Sequence, residues 1–348
     1  MSDHKNGAEL PKAVIFGCAG TSLTEAERIL FTECNPLGFI LFARNVATPE
    51  QVRSLVADLR ACVRRPDAPV LIDQEGGRVA RLKPPHWRAA PPAGAIGAIA
   101  DRDLEMAREA AWLNARLIGE ELRALGINVD CAPVADVPVL GAHDVIGDRA
   151  YSKDPDRVGG LARATALGFL DAGILPVIKH MPGHGRACAD SHAELPVVET
   201  PRADLAETDF KPFRALADMP WAMTAHVLYT DIDPARPATT SPIVIRDIIR
   251  DEIGFAGFLV SDDLSMSALK GPVAARAQAA LAAGCDAGLH CNGNLEEMQQ
   301  IAAVAPPLSA AAFARFERGE ALRGSSLKEA DSQKLASRFE WLMGVGLG

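Results

Sequence analysis

The sequence predicts a single (β/α)8 TIM barrel, and three observations carry that prediction: eight short apolar runs, amphipathic stretches alternating with them, and no dinucleotide-type phosphate loop. The runs are AVIFG (13–17), GFILF (38–42), PVLID (69–73), INVDCAPV (127–134), LPVIKH (175–180), WAMTAHV (221–227), GFLVSDD (257–263) and AGLHC (287–291). Runs that are apolar on both faces read as strands of a parallel sheet covered by helices, and eight of them close a barrel. Between them, apolar residues recur at helical spacing over about 49–64, 102–125, 155–172, 203–217, 243–252, 270–283 and 294–304. Several of these stretches open on Thr, Asp or Ser, whose side-chain oxygens cap the free N–H groups of a first turn. The alternative, an open doubly wound sheet, needs G-x-G-x-x-G after an early strand, and FGCAG (16–20) is too degenerate to serve.

With no linker visible, residues 1–348 are expected to form one catalytic domain, the barrel over about 13–292 and C-terminal helices over about 294–348. The last run leaves about one and a half helices' worth of chain, ending in the amphipathic SQKLASRFEWLMGVG.

Composition excludes several classes of function. A net charge of -9 and a pI near 5.4 give no basic surface for nucleic acid or an anionic membrane, so neither is an expected partner. The first ten residues are polar, and AVIFG is too short for a signal-peptide core or a membrane span, so the expected compartment is the cytoplasm. Seven cysteines with no C-x-x-C pair fit a reducing environment and read as small buried hydrophobes. Cys188, flanked by alanines, reads as an unreactive loop residue.

Polar residues collect at the carboxyl ends of the expected strands, the face on which barrels build active sites. Asp73 closes the third run, Asp130 and Asp136 lie around the fourth, Lys179 and His180 end the fifth, His226 the sixth, and Asp262 and Asp263 the seventh. Taken singly, Asp130 and Asp136 are expected to hydrogen-bond the next loop. His226 is either a pocket-lining group or a buried strand-end histidine. The richest stretch is KHMPGHGRACADSH (179–192). Its His180 and His184 have a spacing that suits zinc on one helical face, but Pro182 and Gly183 interrupt any regular helix, so no metal is expected.

KHMPGHG with DSH a few residues on, together with LIDQEGGRVARL (71–82), IGDRAYS (146–152), TAHVLY (224–229) and FLVSDDLSM (258–266), resembles the glycoside hydrolase family 3 β-N-acetylglucosaminidases. The resemblance runs from residue 13 to about 292 with motifs in the same order and spacing. Met181 stands where many relatives carry Phe, and the second α/β domain of many relatives is missing. The likeness is to the single-domain cytoplasmic β-hexosaminidases of bacterial peptidoglycan recycling. It implies a cofactor-free enzyme that removes N-acetylglucosamine from 1,6-anhydro-N-acetylmuramic acid, with or without its stem peptide.

The resemblance also assigns roles. Retaining hydrolysis needs a carboxylate nucleophile below the anomeric carbon and an acid above the leaving oxygen. Asp262 matches the nucleophile. Asp263 is its competitor, and strand alternation predicts that only one of the two points into the mouth. His192, paired with Asp190, matches the acid/base, a partner carboxylate being suited to orient an imidazole and stabilise its charged form. Asp73, Arg81, Arg149, Lys179 and His180 match sugar-binding positions, where charged groups make the stronger hydrogen bonds to paired hydroxyls. His184 is expected to hold its loop, and the loop itself to order on ligand binding.

Overall fold

The computed structural model describes residues 10–187, 189–191 and 193–346, so Cys188 and the expected acid/base His192 lie outside the described residues. Eight parallel strands close into a barrel: β1 (Lys12–Gly17), β2 (Pro36–Leu41), β3 (Val70–Ile72), β4 (Val129–Asp130), β5 (Leu175–Met181), β6 (Trp221–Thr224), β7 (Phe258–Asp263) and β8 (Ala287–His290). All eight correspond to the apolar runs. Strand alternation splits the core in two. Ile15, Leu71, Val129, Val177, Met223 and Val260 fill the lumen, whereas Phe16, Ile72, Ile178, Ala222 and Leu259 face the helices.

Most of the expected helices form as α-helices, with departures; the stretch over 243–252 winds instead as a π-helix, Val244–Glu252, and a short helix that was not expected, Ala93–Gly97, follows β3. Glu25–Cys34 links β1 to β2 and was not expected; its signal is the capping box of Thr24 and Glu27, which bond each other's backbone N–H groups. The stretch expected as one helix over 203–217 divides into Arg202–Glu207 and Lys211–Arg214, the second opening with Pro212 in its first turn. After β8 the chain makes three helices rather than one and a half: Leu295–Val304, Ala310–Ser326 and Ser332–Gly346. The middle one plugs the amino-terminal end of the lumen. Phe316 lies 6.2 and 6.3 Å from the rings of Trp221 and Phe258, and Leu308 donates its N–H to Pro11 O just before β1. With that end covered, the pocket among the described residues of the lumen lies toward the strand carboxyl ends. Six cysteines, at 18, 34, 62, 131, 285 and 291, are free and buried.

Candidate active site

The mouth at the carboxyl ends holds a pocket with two unlike walls. On the β3–β5 side, Lys179 Nζ lies 2.7 Å from Asp73 Oδ1 and 2.7 Å from Glu75 Oε1. Arg81 donates to Asp73 Oδ2 at 3.1 Å, and Arg149 makes a two-pronged bond to Glu75 at 2.9 and 2.8 Å. Burial alone would raise the Asp73 pKa, but Lys179 and Arg81 hold it well below the usual carboxylate range. The same pairs hold Lys179 charged against burial. This wall is a closed set of matched charges, built from Asp73, Arg81, Arg149 and Lys179 as expected and from Glu75, which was missed. Glu75 sits three residues past the end of β3 within the QEGGR motif, beyond where strand-end reasoning looks.

Gln74 staples this wall. Its side chain accepts from Arg81 N and Leu82 N and donates to Leu82 O, while its own N–H donates to Asp130 Oδ1 at 2.9 Å. Asp130 therefore holds the loop after β3, not the loop that follows its own strand. It is fully buried, its Oδ2 has no partner, and burial pushes its pKa up to about 8. Asp136 likewise serves a neighbouring loop: Oδ2 pairs with His180 Nδ1 at 2.7 Å, and Oδ1 accepts from His184 N at 2.7 Å.

His180 and His184 both line the pocket, their rings 5.6 Å apart at 60°. His184 Nε2 meets Ser191 Oγ at 3.1 Å, tying the two ends of the loop together; burial and the neighbouring His180 push its pKa down to about 4. His226 is fully buried between Thr239 Oγ1 and Asp263 O, which makes it the strand-end histidine of the two alternatives. Among the described residues, no three His, Cys, Asp or Glu side chains are placed to hold a metal ion.

On the β7 wall the two aspartates differ in commitment. Asp263 accepts from Ser265 N, Ser265 Oγ and Cys291 N at 3.0, 2.7 and 3.1 Å. Among the described residues Asp262 has one hydrogen bond, from Asp263 N at 2.8 Å, and no ion pair. Burial opposes its ionisation, yet the field of His226, His180 and Lys179 keeps it ionised below the ordinary carboxylate value. Both aspartates line the pocket, contrary to the expectation from alternation; what separates them is that Asp263's oxygens are already in use.

The loop after β5 arches toward this wall. Ser191 lines the pocket and its carbonyl accepts from Ala268 N at 3.2 Å; Asp190 O accepts from Ala193 N and Glu194 N, closing a turn beside the mouth.

Matched charges on one wall and an uncommitted carboxylate on the other meet the needs of glycosidic bond hydrolysis, and the class they define is a barrel glycoside hydrolase. Comparison with known proteins gives the particular family. The chain belongs to glycosyl hydrolase family 3, residues 18–317 matching its N-terminal domain. It is 44% identical over 283 residues to a beta-hexosaminidase of Alkalilimnicola ehrlichii, covering 80% of each chain. Among solved structures it is similar to NagZ from Neisseria gonorrhoeae in complex with N-trifluoroacetyl-D-glucosamine, with a TM-score of 0.85, 29% identity and coverage of 97% of this chain and 99% of that one. A second structure of that protein, in complex with zinc ion, gives a TM-score of 0.84 at 30% identity over 97% and 99% of the two chains.

Proposed function

We propose that the protein is a retaining exo-β-N-acetylglucosaminidase that removes N-acetylglucosamine from 1,6-anhydro-N-acetylmuramic acid, with or without stem peptide, in cytoplasmic peptidoglycan recycling. The observation that carries this reading is the placement of Asp262: at the pocket wall and, among the described residues, without an ion pair while the neighbouring carboxylates are engaged. In this reading Asp262 attacks the anomeric carbon and forms a covalent glycosyl-enzyme. His192, oriented by Asp190, first protonates the leaving oxygen and then takes a proton from the incoming water. Asp73, Arg81, Arg149, Lys179 and His180 bind the sugar hydroxyls, and Glu75 holds Arg149 and Lys179 for that task. No cofactor enters the scheme, and residues 1–348 act as one catalytic domain. The identity to beta-hexosaminidases supports the sugar preference. The compartment is supported by the buried free cysteines and by the absence, among the described residues, of any helix long and apolar enough to cross a membrane.

The test is direct. Digesting GlcNAc-1,6-anhydroMurNAc with and without stem peptide, and weighing the products, should give free GlcNAc from both. A 2-fluoro glycosyl donor with a good leaving group should label Asp262. A label on Asp263 would reverse the assignment of the pair, and intact disaccharide would reject the substrate.

A further inference from the structure

The loop after β5 is pinned at its base from two sides. A Cβ added at Gly185 would lie 2.0 Å from Val137 O, and one at Gly183, where φ is +145°, would lie 3.0 Å from Asp209 Cβ, so the backbone threads a slot that only glycine fits. The Tyr229 hydroxyl donates to Gly183 O, and Val139 N and His143 N donate to the carbonyls of Gly185 and Ala187. Arg186 emerges from this slot and turns back beneath the loop. Its Nε donates to Asp209 Oδ2 at 2.6 Å and its Nη2 to Thr208 Oγ1 at 2.9 Å. Asp209 is 2% exposed and lies just past the helix Arg202–Glu207.

A carboxylate this deeply buried holds its partner firmly, because separating the pair leaves an uncompensated charge away from water. Burial raises the Asp209 pKa even with Arg186 in place, which marks how much the carboxylate depends on it. Arg186 itself stands only four positions before Asp190 and is absent from the pocket lining. It therefore has the means to set where the next residues of the loop lie without meeting a sugar. We infer that Arg186 is a positioning residue: its ion pair with Asp209 latches the loop that carries Asp190, and so governs proton transfer to the leaving group rather than sugar binding or nucleophilic attack. The inference rests on the proposed acid/base role of His192 and Asp190. It assigns function to a pair outside the pocket, and it differs from a merely structural role in its dependence on the leaving group.

The experiment compares kcat/KM for GlcNAc-1,6-anhydroMurNAc, whose sugar leaving group needs a proton, with that for 4-nitrophenyl β-N-acetylglucosaminide, whose phenolate does not. Arg186→Met and Asp209→Asn should each slow the disaccharide about 10- to 100-fold, the scale on which small misplacements act, while the nitrophenyl substrate is far less affected. Arg186→Lys, which keeps the charge, should recover most of the loss, and the double variant should be no worse than either single one. Asp209→Asn is isosteric and keeps one acceptor oxygen while removing the charge that pairs with Arg186, so it and Arg186→Lys carry the test if Arg186→Met does not fold; thermal midpoints are read for each. Equal losses on both substrates, or none, would overturn the inference. His192→Ala is run alongside. A leaving-group split in His192→Ala with none in the Arg186 and Asp209 variants rejects the latch alone, whereas no split in His192→Ala removes the acid/base reading and the latch with it.

Discussion

The two walls of the mouth are built on opposite electrostatic plans. On the β3–β5 wall, Asp73 and Glu75 face Lys179, Arg81 and Arg149, and each of the five has an oppositely charged partner. On the β7 wall, Asp262 is partly buried, as Asp73 and Glu75 are, but carries no ion pair among the described residues. Matched charges hold one another at fixed positions before any ligand arrives, so little reorganisation is needed to bind. A nucleophile requires the reverse, because a carboxylate locked by cations has its lone pairs engaged. The difference separates a wall for holding from a wall for reacting.

The largest effect should come from breaking the reacting wall. Asp262→Ala is expected to lower kcat by about 10⁴-fold or more, as removal of a nucleophile does, with melting temperature and GlcNAc affinity nearly unchanged in calorimetry. A parallel loss of sugar affinity would move Asp262 to the holding side.

Next comes the proton donor. His192→Ala should slow the disaccharide ~10²- to 10⁴-fold. Nitrophenyl release should survive as a burst followed by slow turnover, with KM lowered by accumulation of the intermediate. Equal slowing of both substrates without a burst in stopped-flow would exclude His192, and Glu194 would be the nearest carboxylate to try.

On the holding wall, Lys179→Met leaves Asp73 and Glu75 with one arginine each, Arg81 and Arg149, and no cation between them. Breaking a buried pair from one side costs about 3–5 kcal/mol when the remaining charge is uncompensated; here the arginines offset part of that, so the urea midpoint should fall by less than the full amount and KM should rise more than kcat drops. An unchanged midpoint would mean the wall is not held by its charges.

The smallest effect on turnover is expected at Asp130, beneath that wall, whose signature is instead a pH dependence of stability. Its folded pKa is raised from 3.8 to about 8. Between those values the folded protein holds a proton that the unfolded chain has released. The stabilising contribution is therefore complete below about pH 4, declines as pH rises, and is gone above about 8. Asp130→Asn cannot ionise and keeps an acceptor for Gln74 N–H. Its urea midpoint relative to the parent should climb from pH 4 to 8 and then level; a flat difference would show that Asp130 is ionised in the folded state.

The sequence by itself determined the barrel, since eight apolar runs with helical stretches between them have few other ways to bury both faces of every strand. It also determined which polar residues share the mouth, because strand carboxyl ends all open on one face. Asp73, Lys179, His180 and Asp262 were legible in this way, Arg81 and Arg149 only through the resemblance of their motifs, and all six line one pocket. Local signals reach further still: the Thr24 capping box announces the helix Glu25–Cys34.

What only the tertiary structure decided is pairing, which depends on distances between residues far apart in the chain. Glu75 meets Arg149 and Lys179 across more than 70 and 100 positions, and Arg186 meets Asp209 across 23. Strand alternation could not rank Asp262 against Asp263, because both reach the pocket at the end of β7, where its register with β8 shifts between Ala287 and Leu289; nor could it forbid Lys179 and His180 from doing the same, where the β5–β6 register shifts between Ile178 and Met181. The ranking comes from occupancy instead. Ser265 and the Cys291 N–H engage Asp263, and only folding brings Cys291 from β8 to within reach of it. Periodicity along one strand records which face a residue takes, but whether a carboxylate is engaged or available is set by neighbours that other strands and loops supply.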